Sequence, residues 1–402
     1  MKKLLGLLAA AVLMPAAANA DVLNNVNLIG EIQTIASDVK HGGYGMYNRG
    51  TSARVLAGLS ADLVEDVTAN LMFQYANVWG WDNASGKTAQ GYWDNVRLVE
   101  ANVVLHNLFC CLEATVGRQF YGDEDSAVMY VGPNHYNAEF NGYTRSLDAV
   151  KVAYADDVKA FTMIAGKFND TFDPYQTRTG SIRAMNAGPA PIASETYNLF
   201  GADFRLNITE ALKLQVYGYD IYDQGDAYDT HSGFYGAKLA LNPEDGIRLS
   251  AEYARNFGGH HFIKEHNDTG HMVKADVAAD IEAVTVRGTF YYTNEDFFAL
   301  GNYTPGLLVG HLVGGFGALS DIALFNVGFD VKPAEKWTVS LDGYSFQDHR
   351  MKHSAMYEAD LTAKYAHNEN VELFAGVGYV DYANYMTSNE NVKGQLGMLI
   401  KF

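Results

Sequence analysis

The sequence predicts an all-β fold: a closed antiparallel transmembrane β-barrel of eighteen strands, with short turns at one rim and long loops at the other. Three observations carry this. From Asp21 onward apolar and polar residues alternate with period two, and helical periodicity is scarce. The alternating segments run close to ten residues, the length that crosses a bilayer core at a tilt. The connections alternate between tight and long, as they must when a barrel is inserted from one side.

Eighteen segments follow in order: 22–36, 51–63, 67–80, 93–105, 109–119, 146–156, 158–168, 195–207, 211–222, 232–242, 246–257, 270–280, 283–294, 321–332, 336–347, 355–366, 370–381 and 391–402. In 211–222, Leu212, Leu214, Val216 and Gly218 share one face, and Lys213, Gln215, Tyr217 and Tyr219 the other. In 283–294, Val284, Val286, Gly288, Phe290 and Tyr292 stand against Thr285, Arg287, Thr289, Tyr291 and Thr293. Eight connections are tight: around Glu65-Asp66, Asn107, Asp156-Asp157, Thr209-Glu210, Pro243-Glu244-Asp245, Ile281-Glu282, Pro333-Ala334-Glu335 and Asn368-Glu369. The segment 93–105 loses its alternation between Arg97 and Glu100, which predicts a β-bulge. The even count brings both chain ends to the short-turn rim. Closure follows because an open edge would leave unpaired amides in lipid. Nothing resembling a linker interrupts 21–402, which reads as one domain.

The composition suits two-faced strands. The 402 residues hold 29 Lys+Arg against 47 Asp+Glu, a formal net charge of −18. Charged residues make up only 19%, while Gly (39), Tyr (26) and Phe (21) are abundant. Half of each strand must face lipid, which lowers the charge, and the aromatics supply the wall and its interfacial girdles. The acidic balance and the lack of a basic run argue against nucleic acid as a partner. The aromatic content argues against disorder, and two cysteines exclude a disulfide scaffold.

Met1-Lys2-Lys3, the apolar run from Leu4 to Met14 and Ala18-Asn19-Ala20 read together as a signal peptide, 1–20, cut before Asp21. Cleavage removes Lys2 and Lys3, leaving 27 basic against 47 acidic residues. The last segment ends at Phe402, with Val392, Gly394, Leu396, Met398 and Ile400 also on its outward face. A terminal aromatic on an alternating final strand resembles the signal read by the outer-membrane assembly machinery. The expected location is the outer membrane of a Gram-negative-type bacterium, with lipid and lipopolysaccharide against the wall.

Strict parity assigns the lumen. Segments six to thirteen offer nine bases: Lys151, Lys159, Lys167, Arg205, Lys213, Lys238, Arg248, Lys274 and Arg287, with the acids Asp203, Glu252, Asp276 and Asp280. The remaining arc offers nine acids: Glu31, Asp62, Glu100, Glu113, Asp330, Asp342, Glu358, Asp360 and Glu372, with the bases Arg54, Lys364, Lys393 and Lys401. The expectation is a nearly neutral bore in which a basic wall faces an acidic one, a field that orients dipolar or zwitterionic solutes. The plainer reading of each residue is a polar side chain paired with its neighbour. One slipped register would move several members to the other face. The net negative charge then belongs to loops and turns that hold Asp123, Glu124, Asp125, Asp173, Asp223, Asp226, Asp229, Glu265, Asp268, Glu295 and Asp296. These are solvated, or ligands for divalent cations that bridge lipopolysaccharide.

Three connections are long: loop three (about 120–145), loop four (about 169–194) and loop seven (about 295–320). Loop seven is apolar, with Phe297, Phe298, Leu300, Leu307, Leu308, Val309, Leu312, Val313 and Phe316. An apolar loop should not face water, so loops three and seven are expected to narrow the pore; a surface patch for a partner subunit is the alternative. Arg118 and Asp148, at the outer ends of adjacent segments, are expected to pair across the ladder as a structural lock; solute binding is the alternative.

Chemistry is sparse. His260, His261, His266 and His271 have metal-ligand spacing but no organised carboxylates. Cys110-Cys111 beside a turn read either as a strained adjacent disulfide or as a free thiol pair. No Gly-x-Ser-x-Gly elbow occurs. Neither an enzyme, a cofactor nor a metal centre is expected.

Gly117-Arg118-Gln119-Phe120-Tyr121-Gly122-Asp123, followed by Arg145-Ser146-Leu147-Asp148-Ala149-Val150-Lys151, resembles the Gly-Arg-Gln … Tyr-Gly-Asp … Phe-Asp-x-Val-basic pattern of the alginate-export family of outer-membrane porins. Tyr235-Gly236-Ala237-Lys238-Leu239, Leu249-Ser250-Ala251-Glu252-Tyr253 and Glu295-Asp296-Phe297-Phe298-Ala299-Leu300 fit the strands and loop that would come next. The resemblance implies an eighteen-stranded barrel and passive passage of a polar solute. Glu124-Asp125 stands where that family tends to place a basic residue, and its polyuronate exporters carry a strongly basic lumen, which this chain lacks. The expected function is a porin for passive diffusion of small polar solutes such as sugars, uronates or zwitterions, with a monomer favoured over a trimer. The alternatives are a structural major outer-membrane protein and a surface adhesin or receptor that works through its loops.

Overall fold

A computed structural model of the chain describes residues 24–40, 49–79, 96–136, 144–168, 197–223, 230–243, 246–258, 270–294, 297–308, 321–348, 350–351, 354–381 and 390–402. The signal peptide, loop four, most of the loop-six histidines and 309–320 of loop seven lie outside the described residues. The wall consists of β1 (Asn24–Lys40), β2 (Arg49–Val64), β3 (Val67–Trp79), β4 (Val96–Leu108), β5 (Leu112–Gln119), β8 (Leu147–Ala155), β9 (Lys159–Phe168), β10 (Tyr197–Asn207), β11 (Leu212–Asp223), β12 (Thr230–Leu241), β13 (Ile247–Gly258), β14 (His271–Ile281), β15 (Val284–Thr293), β16 (Ile322–Ala334), β17 (Trp337–Gln347), β18 (Ser354–Asn368), β19 (Val371–Asp381) and β20 (Glu390–Lys401). Two short strands, β6 (Tyr121–Gly122) and β7 (Tyr130–Val131), pair with each other inside loop three.

All eighteen expected segments are present and in order. Each wall strand pairs antiparallel with the next, and β1 closes on β20 from Glu31 opposite Lys401 to Lys40 opposite Val392. At the seam Gly30 and Phe402 exchange backbone hydrogen bonds of 2.8 and 3.0 Å. Closure satisfies the ladder without help from water, which is what a hydrocarbon environment demands.

The expected bulge lies in β4: Met72 faces Glu100 and Phe73 faces Leu98, so Val99 is the extra residue. The expected tight turn after β4 starts at Asn107: Cys110 N donates to Asn107 O at 2.9 Å, and Asn107, Phe109 and Cys110 all take positive φ. Both thiols are free and exposed there.

The two faces separate as the pattern requires. Val150, Met163, Phe200, Val216, Leu239, Val277, Val327, Leu361, Val377 and Leu396 form part of an exposed apolar exterior. Only lipid makes such a surface stable. The buried interior is mixed. Its largest apolar cluster joins inward side chains near the long-loop rim to residues of loops three and seven.

Candidate functional site

Residues opposite each other in an antiparallel pair share a face, so the register assigns the lumen strand by strand. Lys151, Arg205, Lys213, Lys238, Arg248, Lys274 and Arg287 fall on the inward face. So do Glu31, Asp62, Glu100, Glu113, Asp330, Asp342, Glu358, Asp360 and Glu372.

Lys159 and Lys167 do not. In β9 the inward set is Ala160, Thr162, Ile164, Gly166 and Phe168, while the exposed Met163 shares the outward face with both lysines. The pattern misleads because Ile164 and Phe168 are apolar for a lumen reason: they pack on loop residues. The lysines lie at the two ends of the strand, where aliphatic stems carry their charges past the hydrocarbon. Lys159 Nζ lies 5.7 Å from the centre of the Tyr154 ring.

Of the assigned charges, bases still outnumber acids on the inward face of β8 to β15 and acids outnumber bases on the rest of the ring, but the charges do not stand apart. Bases lie beside acids on the same stretch of wall. Arg248 holds Asp280 through bonds of 2.6 and 2.9 Å. Arg287 holds Asp330 at 2.6 and 2.8 Å and reaches Asp342 at 3.1 Å. Lys274 lies 3.5 Å from Asp276, Lys151 3.8 Å from Glu113 and Lys364 3.9 Å from Glu372. Arg205 lies 3.1 Å from both Asp203 and Asp123. Asp203 also accepts from Gln215, and Glu252 from the Tyr217 hydroxyl at 2.7 Å. Among the described residues, Lys213 and Lys238 have no carboxylate within ion-pair distance.

Loop three crosses the bore. It leaves β5 at Gln119, whose amide nitrogen donates to Ala149 O at 3.0 Å. The Tyr121 and Tyr219 hydroxyls then meet at 3.1 Å, and Asp123 reaches Arg205, which fixes the near end to β10 and β11. Gly122 has φ +87°, and a Cβ there would lie 2.3 Å from Met129 O. Only glycine lets β6 and β7 close. The far end docks on β1, β2, β19 and β20. Arg54 Nη1 donates to Asn134 O at 2.7 Å, His135 meets Glu31 at 2.8 Å, and Tyr136 packs edge-on against Phe374 at 5.1 Å. Lys364 Nζ lies 3.8 Å from the Tyr136 ring centre. β10 and β11 are the eighth and ninth strands around the ring from β1, so the loop is a strut between opposite walls.

Loop seven lies against this strut. Tyr130 N donates to Leu300 O and Leu300 N to Val128 O, both at 2.9 Å, and Asn302 N donates to Ser126 O at 2.9 Å. The side chains of Asn134 and Asn302 join at 2.8 Å. On the wall, Asn256 exchanges bonds of 2.6 and 2.9 Å with the Phe298 backbone. Glu358 accepts from Leu308 N at 2.6 Å and Asp360 from Leu307 N at 2.8 Å, while Lys393 Nζ donates to Leu307 O at 3.0 Å. Two expected pore-lining acids are thus anchors for the loop. Its apolar side chains Phe297, Leu300 and Leu308 lie in the internal cluster with Leu324, Phe346 and Met356. That removes them from water, at about 1.5–3 kcal/mol for each large side chain.

The motif of strand five spans wall and strut. Gly117 has φ +121°, and a Cβ there would lie 2.3 Å from Ala101 O. Arg118 and Asp148 sit opposite each other on the outward face and share two hydrogen bonds of 2.8 Å. Sequence reasoning missed the inward apolar ends of the strands, such as Leu199, Ile221, Phe234 and Phe346, which receive the loops. The signal was there, as apolar residues on lumen parity near the long-loop rim.

Comparison with solved structures agrees with the barrel fold. OccK11 (OpdR) of Pseudomonas aeruginosa superposes with a TM-score of 0.63 at 10% identity, over 95% of this chain and 97% of that one. OccAB4 of Acinetobacter baumannii gives 0.63 at 10% identity, over 96% and 100%. OpdK of Pseudomonas aeruginosa, determined with vanillate, gives 0.63 at 11% identity, over 95% and 99%. The fold is that of the OprD and Occ outer-membrane porins. At these identities the likeness is one of fold. No protein-family model and no curated protein sequence matches the chain.

Proposed function

We propose that the protein is an outer-membrane porin through which small polar solutes diffuse passively. The single observation that carries this is the strut: two loops folded into a charged bore and joined to each other and to opposite walls narrow a closed barrel without adding catalytic machinery. The solute class that suits Lys213 and Lys238 carries a carboxylate, as uronates and zwitterions do. The vanillate of the OpdK structure is a carboxylate of this kind. The strand-five likeness to alginate-export porins bears on wall and loop architecture, through Gly117, the Arg118–Asp148 pair and Gly122, more than on the solute.

The same reading makes 1–20 an export signal and Phe402 the residue offered to the barrel assembly machinery. It surrounds the exterior with lipid and lipopolysaccharide and takes the protein as a monomer. Liposome swelling tests it. Purified protein in proteoliposomes should admit sugars, amino acids and uronates below a size limit. No uptake of any solute would favour a structural outer-membrane protein instead.

A further inference from the structure

We propose that Glu31, Arg54, Glu124 and His135 form a proton-dependent latch that positions the loop-three strut, so that loss of the His135 proton widens the pore. The inference rests on the channel reading above. His135 Nδ1 lies 2.7 Å from Glu124 Oε2, and Nε2 lies 2.8 Å from Glu31 Oε2. A neutral imidazole has one N–H and one lone pair, so only the imidazolium donates to both carboxylates. The side chain is 10% exposed, leaving little water to replace a lost bond. Removal of the proton would turn a nitrogen lone pair toward a carboxylate oxygen.

The contacts link two elements. Glu31 belongs to β1 and also takes Arg54 of β2 at 2.5 Å. Arg54 in turn holds the carbonyl of Asn134, the residue before His135. Glu124 lies at the near end of loop three, and its other oxygen accepts the His135 backbone N–H at 2.8 Å. One imidazolium therefore ties the strut's far end both to the wall and to the strut's own beginning.

The charged and titratable groups around the ring are Glu31 from β1, Arg54 from β2, and Glu124, Tyr130 and Tyr136 from the loop itself. Beyond Tyr136 stand Lys364 of β18 and Glu372 of β19. Burial opposes charging of His135, but the hydrogen bonds to Glu124 and Glu31 outweigh it and hold the pKa above the ordinary 6.5. Burial pushes the Tyr130 and Tyr136 phenols above their usual range, so they keep their protons while His135 titrates. A raised pKa stabilises the docked loop fully below about 6.5, and the contribution is lost as pH rises through the raised value.

The test is single-channel conductance in planar bilayers, stepped from about pH 6 to about pH 10, across the range of a raised imidazole. Wild type should step to a higher conductance as pH rises. His135→Ala should conduct at the higher level throughout, and Glu124→Gln, which removes one of the two carboxylates that favour the imidazolium, should move the step to lower pH. An unheated gel shift confirms that each variant is a folded barrel. A conducting wild type without the step, or a His135→Ala variant that keeps it, overturns the latch. Hydrogen exchange at 131–136 judges the latch even if the folded barrel never conducts, a result that would sink the channel reading alone. Exchange should be faster in His135→Ala than in wild type below the titration and equal above it. Equal rates below it overturn the latch.

Discussion

Asn134 Nδ2 lies 2.8 Å from Asn302 Oδ1, so residues 168 positions apart join the two inward loops. Both side chains are buried, and each amide would lose a partner on truncation of the other. Asn134→Ala and Asn302→Ala should each weaken loop docking by about 1–3 kcal/mol, the cost of a buried unsatisfied amide. The double variant should cost little more than either single one, because the first change already removes the bond. Urea unfolding of the three variants measures this. Additive losses would mean that the two amides act separately.

Arg118 and Asp148 make a different kind of join, a bidentate pair across neighbouring strands on the outward face. A double-mutant cycle of the two alanine variants should give a coupling of about 1 kcal/mol or less, the range for a partly exposed pair. Arg118→Lys should behave more like Arg118→Ala than like wild type, because lysine cannot make the two parallel bonds. A coupling of zero would reduce the pair to two unrelated rim charges.

Val327 lies on the exposed outward face of β16, between the likewise exposed Phe325 and Phe329. Val327→Arg should destabilise the inserted barrel by about 2–4 kcal/mol, the cost of a cation near the bilayer midplane. Reversible unfolding in lipid or detergent reads this directly. A neutral outcome would place β16 with the opposite face to lipid.

The lysines divide by face. Lys238→Ala removes an inward charge and should shift the reversal potential in a salt gradient toward cation selectivity. Lys167→Ala, on the outward face beside Asp148, should leave it unchanged. A shift on Lys167→Ala would restore the register that strict parity suggested for β9.

That contrast shows what could be read in the chain. Strands were legible because lipid on one side and water on the other impose a two-residue period, and tight turns alternate with long loops. The bulge at Val99 was legible as a single parity break. β9 was not, because its lumen face carries Ile164 and Phe168 for the loops, while its charges sit at ends that reach headgroups. The charge pattern of the bore was half legible. Parity placed most of the charges inward and on unequal arcs, but it did not show that Arg248–Asp280 and Arg287–Asp330 are neighbour pairs. The apolar content of loop seven did indicate an inward fold. Its anchors, Glu358 and Asp360, could not be told from solute-facing acids without the loop amides they accept.

Whether the inward loops set the pore is tested most directly by deleting 305–317, which removes Leu307 and Leu308 from Asp360 and Glu358 and frees Lys393 from the Leu307 carbonyl. Single-channel conductance of this variant, checked as a folded barrel, should rise above wild type in the same salt. Unchanged conductance would contradict a constriction built by loops three and seven.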